Sequence, residues 1–263
     1  DFYIEEANRI GGTMSLTDSL IQSTDELKEL ASTQQNMSNN RLDEPYRRAF
    51  LQINKRLAAT SHHLGHLPSQ RSPGNETKPY ANSGEFLHDL DIVINSLKKD
   101  NSDWLARGAL RNLRRAVDVF GFHLAPLDMR QHSKTHESVV TELFERGALN
   151  KDYLSLSADE RTKLLLSEIS SPRPLLSSYL EYSEATQGEL SILKTAAAIQ
   201  KKLGKDAMPN YIISMTKNVI NILEVALLLK EVGLLKSGDD PRLSMNIIPL
   251  FETIQDLRDC GDI

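Results

Sequence analysis

The chain has 263 residues, which at roughly 150 residues per domain means one large domain or two small ones and excludes a stapled mini-protein. Its 40% hydrophobic and 25% charged residues are ordinary for globular chains, which argues against wholesale disorder and against a polytopic membrane protein. With 31 basic against 36 acidic residues the net charge is −5, so the surface has no general attraction for phosphate backbones or anionic lipid, and neither nucleic acid nor a membrane is expected as a partner. The single cysteine, Cys260, excludes an internal disulfide and fits a reducing, cytoplasmic setting. No basic stretch followed by an apolar core marks a signal peptide. The chain opens on Asp1 without a methionine and ends at Ile263 without an obvious terminating element, so it reads as part of a longer polypeptide.

In chain order, Leu20, Ile21, Leu27 and Leu30 are spaced for one helix face and predict a helix over 18–31. A polar run over 32–40 breaks it. Glu44-Pro45-Tyr46-Arg47 opens the next helix, with Pro45 in the first turn where its missing N–H costs nothing, and that helix continues to Leu64. Residues 65–83 hold Gly65, Pro68, Pro73, Gly74 and Pro79 and read as a surface loop. Helices follow over 84–99 and 103–120. From Phe122 to Met129 helical periodicity is lost and a strand is predicted, with Pro126 inside it.

Helices are then predicted over 135–145, from a capping box at Ser157-Ala158-Asp159-Glu160 to Ile169, and over 183–203. Residues 211–215 read as a strand, 218–232 as a helix with Gly233 beyond its end, and 245–251 as a strand. The segment 219–232 is the most apolar of the chain, but Asn221, Glu224, Lys230 and Glu231 interrupt it, and it falls short of the roughly 20 residues that cross a bilayer. Strand, helix, strand is a parallel βαβ signature. The expected fold is therefore α/β and helix-rich, with a helical region over 1–112 and part of an α/β sheet or barrel over 113–263, its strands near 122–129, 211–215 and 245–251.

Functional side chains of parallel α/β proteins gather at the carboxyl ends of strands, and two predicted strands end in charge. Asp128 and Arg130 share a face by alternation, and Glu252 follows Ile247-Ile248-Pro249-Leu250-Phe251. An arginine fork suits a phosphate, and a carboxylate suits a hard divalent cation. The structural alternative is a buried Arg–carboxylate pair that closes the sheet. His132 and His136 stand four apart, but without an HExxH pattern or a third ligand they read as helix-terminal or surface residues. His62, His63 and His66 read as surface residues too. Arg107, Arg111, Arg114 and Arg115 share a helical spacing and read as a solvated face or a subunit contact. Neither GxxxxGK[ST] nor GxGxxG nor Gly-x-Ser-x-Gly occurs.

Three long collinear segments, residues 120–133 (FGFHLAPLDMRQHS), 211–233 (YIISM running into VALLLKEVG) and 249–257 (PLFETIQDL), resemble motifs of phosphoenolpyruvate carboxylases. Glu44-Pro45-Tyr46-Arg47 and Pro172-Arg173-Pro174-Leu175-Leu176 are shorter matches in the same order, so the resemblance runs from about residue 40 onward. It implies a helix-rich fold around a TIM-like α/β barrel, a cytoplasmic and homotetrameric enzyme, and the conversion of phosphoenolpyruvate and bicarbonate to oxaloacetate and phosphate with Mg2+ or Mn2+. By the same resemblance Arg130 contacts the substrate phosphate and Glu252 is a metal ligand; Asp128, on the same strand face as Arg130, is expected to orient it and carries no catalytic role. The family's His-Pro-Thr and Gly-Arg-Gly-Gly motifs do not occur here, and its second metal-binding aspartate and remaining phosphate-binding arginines belong beyond Ile263. The isolated chain is therefore expected to be inactive and to need the rest of its parent polypeptide. The competing class is a non-catalytic helical interaction module that keeps the scaffold without the chemistry.

Overall fold

The computed structural model describes residues 1–32, 43–65, 77–149, 152–238 and 240–263. It divides into two compact units, Asp1–Leu124 and Ala125–Ile263. Most of the polar run expected over 32–40, and the greater part of the loop expected over 65–83, lie outside the described residues.

The first unit is helical: α1 (Phe2–Thr13), α2 (Asp25–Ser32), α3 (Pro45–His63), α4 (Ser83–Lys99), α5 (Asp103–Ala106) and α6 (Ala109–Phe120). Its core is built from Tyr46, Phe50 and Ile53 of α3, Phe86, Leu90, Val93 and Leu97 of α4, and Leu110, Leu113 and Val117 of α6. α1 packs on α3 closely enough that a Cβ on Gly11 would lie 2.7 Å from Phe50 Cβ.

Two expectations shift in this unit. The helix expected from residue 18 starts at Asp25, because Asp18 Oδ1 accepts from Ser23 Oγ and folds that segment back, while Thr24 Oγ1 caps the helix by accepting from Leu27 N. The helix expected over 103–120 is two, because Gly108 adopts φ +84° between them, a conformation that glycine tolerates without a Cβ penalty. The division drawn at residue 112 falls inside α6, whose apolar face belongs to the first core, and the unit itself closes at Leu124.

The second unit contains β1 (Met129–His132), α7 (Ser133–Arg146), a 3-10 turn (Tyr153–Ser155), α8 (Ala158–Ser170), α9 (Glu184–Leu203), β2 (Asn210–Ser214), α10 (Val219–Glu231), β3 (Leu235–Lys236), β4 (Arg242–Leu243), β5 (Asn246–Pro249) and α11 (Ile254–Asp259). β1, β2 and β5 form a parallel sheet with β2 in the middle, in a register that aligns Met129 with Tyr211 and Tyr211 with Ile247. The capping box at Ser157 and Glu160 forms as expected.

The strand expected over 122–129 begins only at Met129. Gly121 and Leu124 have φ of +47° and +64°, which extended backbone does not allow, and Pro126 has no N–H to give to a ladder. The strand expected to end at Met215 ends at Ser214, since Met215 turns to φ +58°. The antiparallel pair β3–β4, interposed between α10 and β5, has no counterpart among the predicted elements.

The sheet has one face covered by helices. Met129, Tyr211 and Ile213 are buried with Val140, Phe144, Leu193, Leu227 and Leu228 in the second core, each large apolar side chain contributing on the order of 2 kcal/mol. Arg130, Ile212, Ser214 and Ile248 alternate to the other face, where Arg130 and Ile248 are exposed. The fold is α/β, and among the described residues the parallel sheet has three strands and does not close on itself into a barrel.

Candidate functional site

The parallel register sets the carboxyl ends of β1, β2 and β5 side by side. Arg130 lies on the edge strand β1, one alternation step before Ser214's partner His132. Beyond β5, Leu250 N donates to Ile213 O at 2.9 Å and Thr216 N to Leu250 O at 3.2 Å, so the chain stays tied to β2 as it leaves the sheet. This tether delivers Glu252 to the neighbourhood of β2's last residue. The next residue, Thr253, caps α11 in a reciprocal box with Asp256, which fixes where the backbone turns away.

Glu252 is held at both oxygens: Arg130 Nη2 donates to Oε1 at 2.8 Å, and Ser214 Oγ donates to Oε2 at 3.1 Å. The two charged residues that the strand-end argument singled out thus meet. The alternative of a buried pair closing the sheet is not what forms, because the Arg130 side chain is 58% exposed and that of Glu252 29%.

Asp128 does not orient Arg130. It accepts from Asn210 Nδ2 at 2.9 Å, and Asn246 Nδ2 donates to Asn210 Oδ1 at 3.0 Å, a polar ladder across the amino ends of the three strands. His132 is helix-terminal, its Nδ1 accepting from Lys134 N at the start of α7. His136 departs from the expected surface position: it is buried, with Nε2 2.9 Å from Tyr211 Oη, because it falls on the face of α7 that packs onto β2. Burial holds it neutral by lowering its pKa to about 4. His62 and His63 are exposed, and His66 lies outside the described residues. Within the basic cluster Arg107 pairs with Asp103 at 2.5 Å and Arg114 with Asp91 at 2.6 Å, which supports the solvated-face reading.

Two features were not anticipated. Ser214 closes the strand predicted over 211–215, and its role was hidden because only the register with β1 and β5 reveals which side chains it faces. In the sequence Glu224 is only an interruption of an apolar segment. It is fully buried on α10, accepting from Tyr153 Oη at 3.0 Å and Asn221 Nδ2 at 3.3 Å, and burial raises its pKa to about 7.

As a donor set for Mg2+ or Mn2+, Glu252 is chemically suitable, since such ions take hard oxygens and commonly use one or two carboxylates with water and substrate phosphate oxygens. Among the described residues no three His, Cys, Asp or Glu side chains converge on one point, so Glu252 fits as one ligand of a site that other residues would complete.

These features define an α/β protein whose charged groups collect at the carboxyl ends of parallel strands, the position where this class of fold carries its chemistry. The family model described as phosphoenolpyruvate carboxylase matches residues 1–263, and the chain belongs to that family. It is 58% identical over 264 residues to a phosphoenolpyruvate carboxylase of Nitrosomonas europaea, 57% to one of Nitrosomonas eutropha and 47% over 262 residues to one of Aromatoleum aromaticum. In each case the match covers 100% of this chain and 28% of the relative, so the chain spans little more than a quarter of the length of these relatives. Among the described residues no helix is long and apolar enough to cross a membrane.

Proposed function

We propose that the chain is a segment of a phosphoenolpyruvate carboxylase that carboxylates phosphoenolpyruvate with bicarbonate to give oxaloacetate and phosphate, a reaction that feeds the tricarboxylic acid cycle. The observation that carries this reading is the convergence of Arg130 and Glu252 at 2.8 Å, at the carboxyl end of a parallel sheet, in a chain of this family.

In this reading Arg130, exposed and rich in donors, binds the phosphate oxygens of phosphoenolpyruvate. It offsets charge on the phosphoryl group while a bicarbonate oxygen attacks phosphorus and the bond from phosphorus to the enol oxygen breaks. Glu252 contributes one carboxylate to a Mg2+ or Mn2+ site. When bound, the ion supplies Lewis-acid stabilisation of developing oxyanion charge. In the resting arrangement the two side chains neutralise each other, and each is released toward a ligand of opposite charge. Ser214 stays hydrogen-bonded to Glu252 through the change.

The reading assigns the enzyme to the cytoplasm as a homotetramer, with neither nucleic acid nor membrane as partner. It also makes the isolated 1–263 polypeptide inactive, since one arginine and one carboxylate are only part of such a site. The test is kinetic, in the full-length enzyme that carries this chain. Arg130→Ala is expected to raise the KM for phosphoenolpyruvate and lower kcat/KM by about 10- to 100-fold, the loss of one charge-assisted hydrogen-bonding group. Glu252→Gln is expected to raise the metal concentration needed for half-maximal activity. Wild-type kinetics in both variants would overturn the assignment of Arg130 and Glu252 to the site, and oxaloacetate production by 1–263 would overturn the inactivity of the fragment.

A further inference from the structure

Glu252 stands on irregular backbone, between the end of β5 at Pro249 and the start of α11 at Ile254. A carboxylate placed there has free rotation about its side-chain bonds unless a neighbour restrains it. Arg130 reaches only Oε1, through Nη2, and in the proposed reading its guanidinium turns toward the substrate anion, so it leaves Oε2 unrestrained. Ser214 can restrain it, because it is the last residue of β2, the central strand, paired on one side with β1 and continued on the other by the tether to Leu250. Its backbone is the most firmly supported of the three, and its hydroxyl donates to Oε2, the oxygen that Arg130 does not take.

We propose that Ser214 is a positioning residue for divalent-metal binding: its hydroxyl holds Oε2 of Glu252 so that the carboxylate presents Oε1 to the ion. The inference rests on Glu252 being a metal ligand. Hydrogen-bond partners of metal ligands fix ligand orientation and basicity, and their loss commonly weakens metal affinity by about 10- to 100-fold. A hydroxyl suits the role because it donates one hydrogen bond without adding a charge that would compete with or repel the cation.

The experiment is direct Mn2+ binding to the full-length enzyme, read by the loss of the free-ion electron paramagnetic resonance signal, with no substrate present. Ser214→Ala is expected to weaken Mn2+ binding by about tenfold or more, while Ser214→Thr, which keeps the hydroxyl, binds Mn2+ as the wild type does. Glu252→Gln is measured in parallel. If Glu252→Gln loses affinity but Ser214→Ala does not, the positioning role is overturned and the ligand assignment stands. If Ser214→Thr is as weak as Ser214→Ala, the effect is one of packing and the inference is likewise overturned. Wild-type affinity in Glu252→Gln removes the ligand assignment itself, and the role of Ser214 with it.

Discussion

Arg130 Nη2 lies 2.8 Å from Glu252 Oε1, although the two residues are 122 positions apart in the chain. The bridge spans the width of the sheet, from edge strand β1 to the segment beyond β5, with β2 between them. Its exposure decides what it contributes: an ion pair in contact with water gains little Coulomb energy over its solvated parts, so the pairing is better understood through the chemistry of the two groups than as a brace for the sheet.

A double-mutant cycle on Arg130→Ala and Glu252→Gln is therefore expected to give a coupling energy to stability below about 1 kcal/mol, diminishing further as salt is raised. Urea unfolding of the 1–263 polypeptide measures it. A coupling of about 3 kcal/mol or more, the range of buried pairs, would make the bridge a structural brace instead.

The two residues of this bridge were legible as strand ends, because charge directly after a β-run is a local signal. Their contact was not, since it depends on a register that local alternation does not encode. The same limit explains the strand expected over 122–129. Its apolar residues fit a strand, but Leu124 takes φ +64°, and pairing with β2 begins only at Met129. α1 is illegible in the sequence for a different reason. Gly11 and Gly12 stand next to each other in its last turns and lower its intrinsic helicity, and it is held by packing on α3.

That packing gives a contrast between adjacent glycines. Replacing a helical glycine by alanine ordinarily gains up to about 1 kcal/mol, and Gly12, whose added Cβ would meet nothing within 4 Å, should show such a gain. At Gly11 the added Cβ would sit 2.7 Å from Phe50 Cβ. That atom lies next to the backbone of α3 and cannot swing aside, so the clash outweighs the helical gain. Gly11→Ala is expected to lower stability by about 1–3 kcal/mol, the usual cost of overpacking. Thermal unfolding of the two variants side by side checks the opposite signs.

Glu224 makes the second unit sensitive to pH in an unusual direction. Its carboxyl is shifted upward, from 4.5 to about 7, chiefly by burial, with Glu137 pushing the same way and Tyr153, Asn221 and Arg161 opposing. Between pH 4.5 and 7 the unfolded chain has lost this proton while the folded one keeps it, so stability falls as pH rises through the window, by an amount on the order of 3 kcal/mol. Glu224→Gln keeps an oxygen for Tyr153 Oη and removes the titration. The variant is expected to be more stable than the wild type at pH 8 and to lose that advantage at pH 4.5. Equal pH dependence of the two proteins in urea unfolding would show that Glu224 stays ionised where it is.

His136 works against it. Its pKa falls from 6.5 to about 4, first through burial and then through the nearby His132, so below pH 6.5 the unfolded chain gains a proton that the folded chain refuses. Stability is therefore lost as pH falls from 6.5 to 4, again by an amount on the order of 3 kcal/mol. From pH 4.5 to 6.5 the two groups slope in opposite directions, and the wild-type profile is expected to be nearly flat there. Each single variant exposes the other group: Glu224→Gln should lose stability steadily as acid is added, whereas His136→Gln should gain it as pH falls from 7 to 4.5. His136→Gln retains a polar group opposite Tyr211 Oη, which limits the loss from leaving a buried hydroxyl unpaired. A wild-type profile as steep as that of either variant would mean that at least one of the two groups titrates normally in the fold.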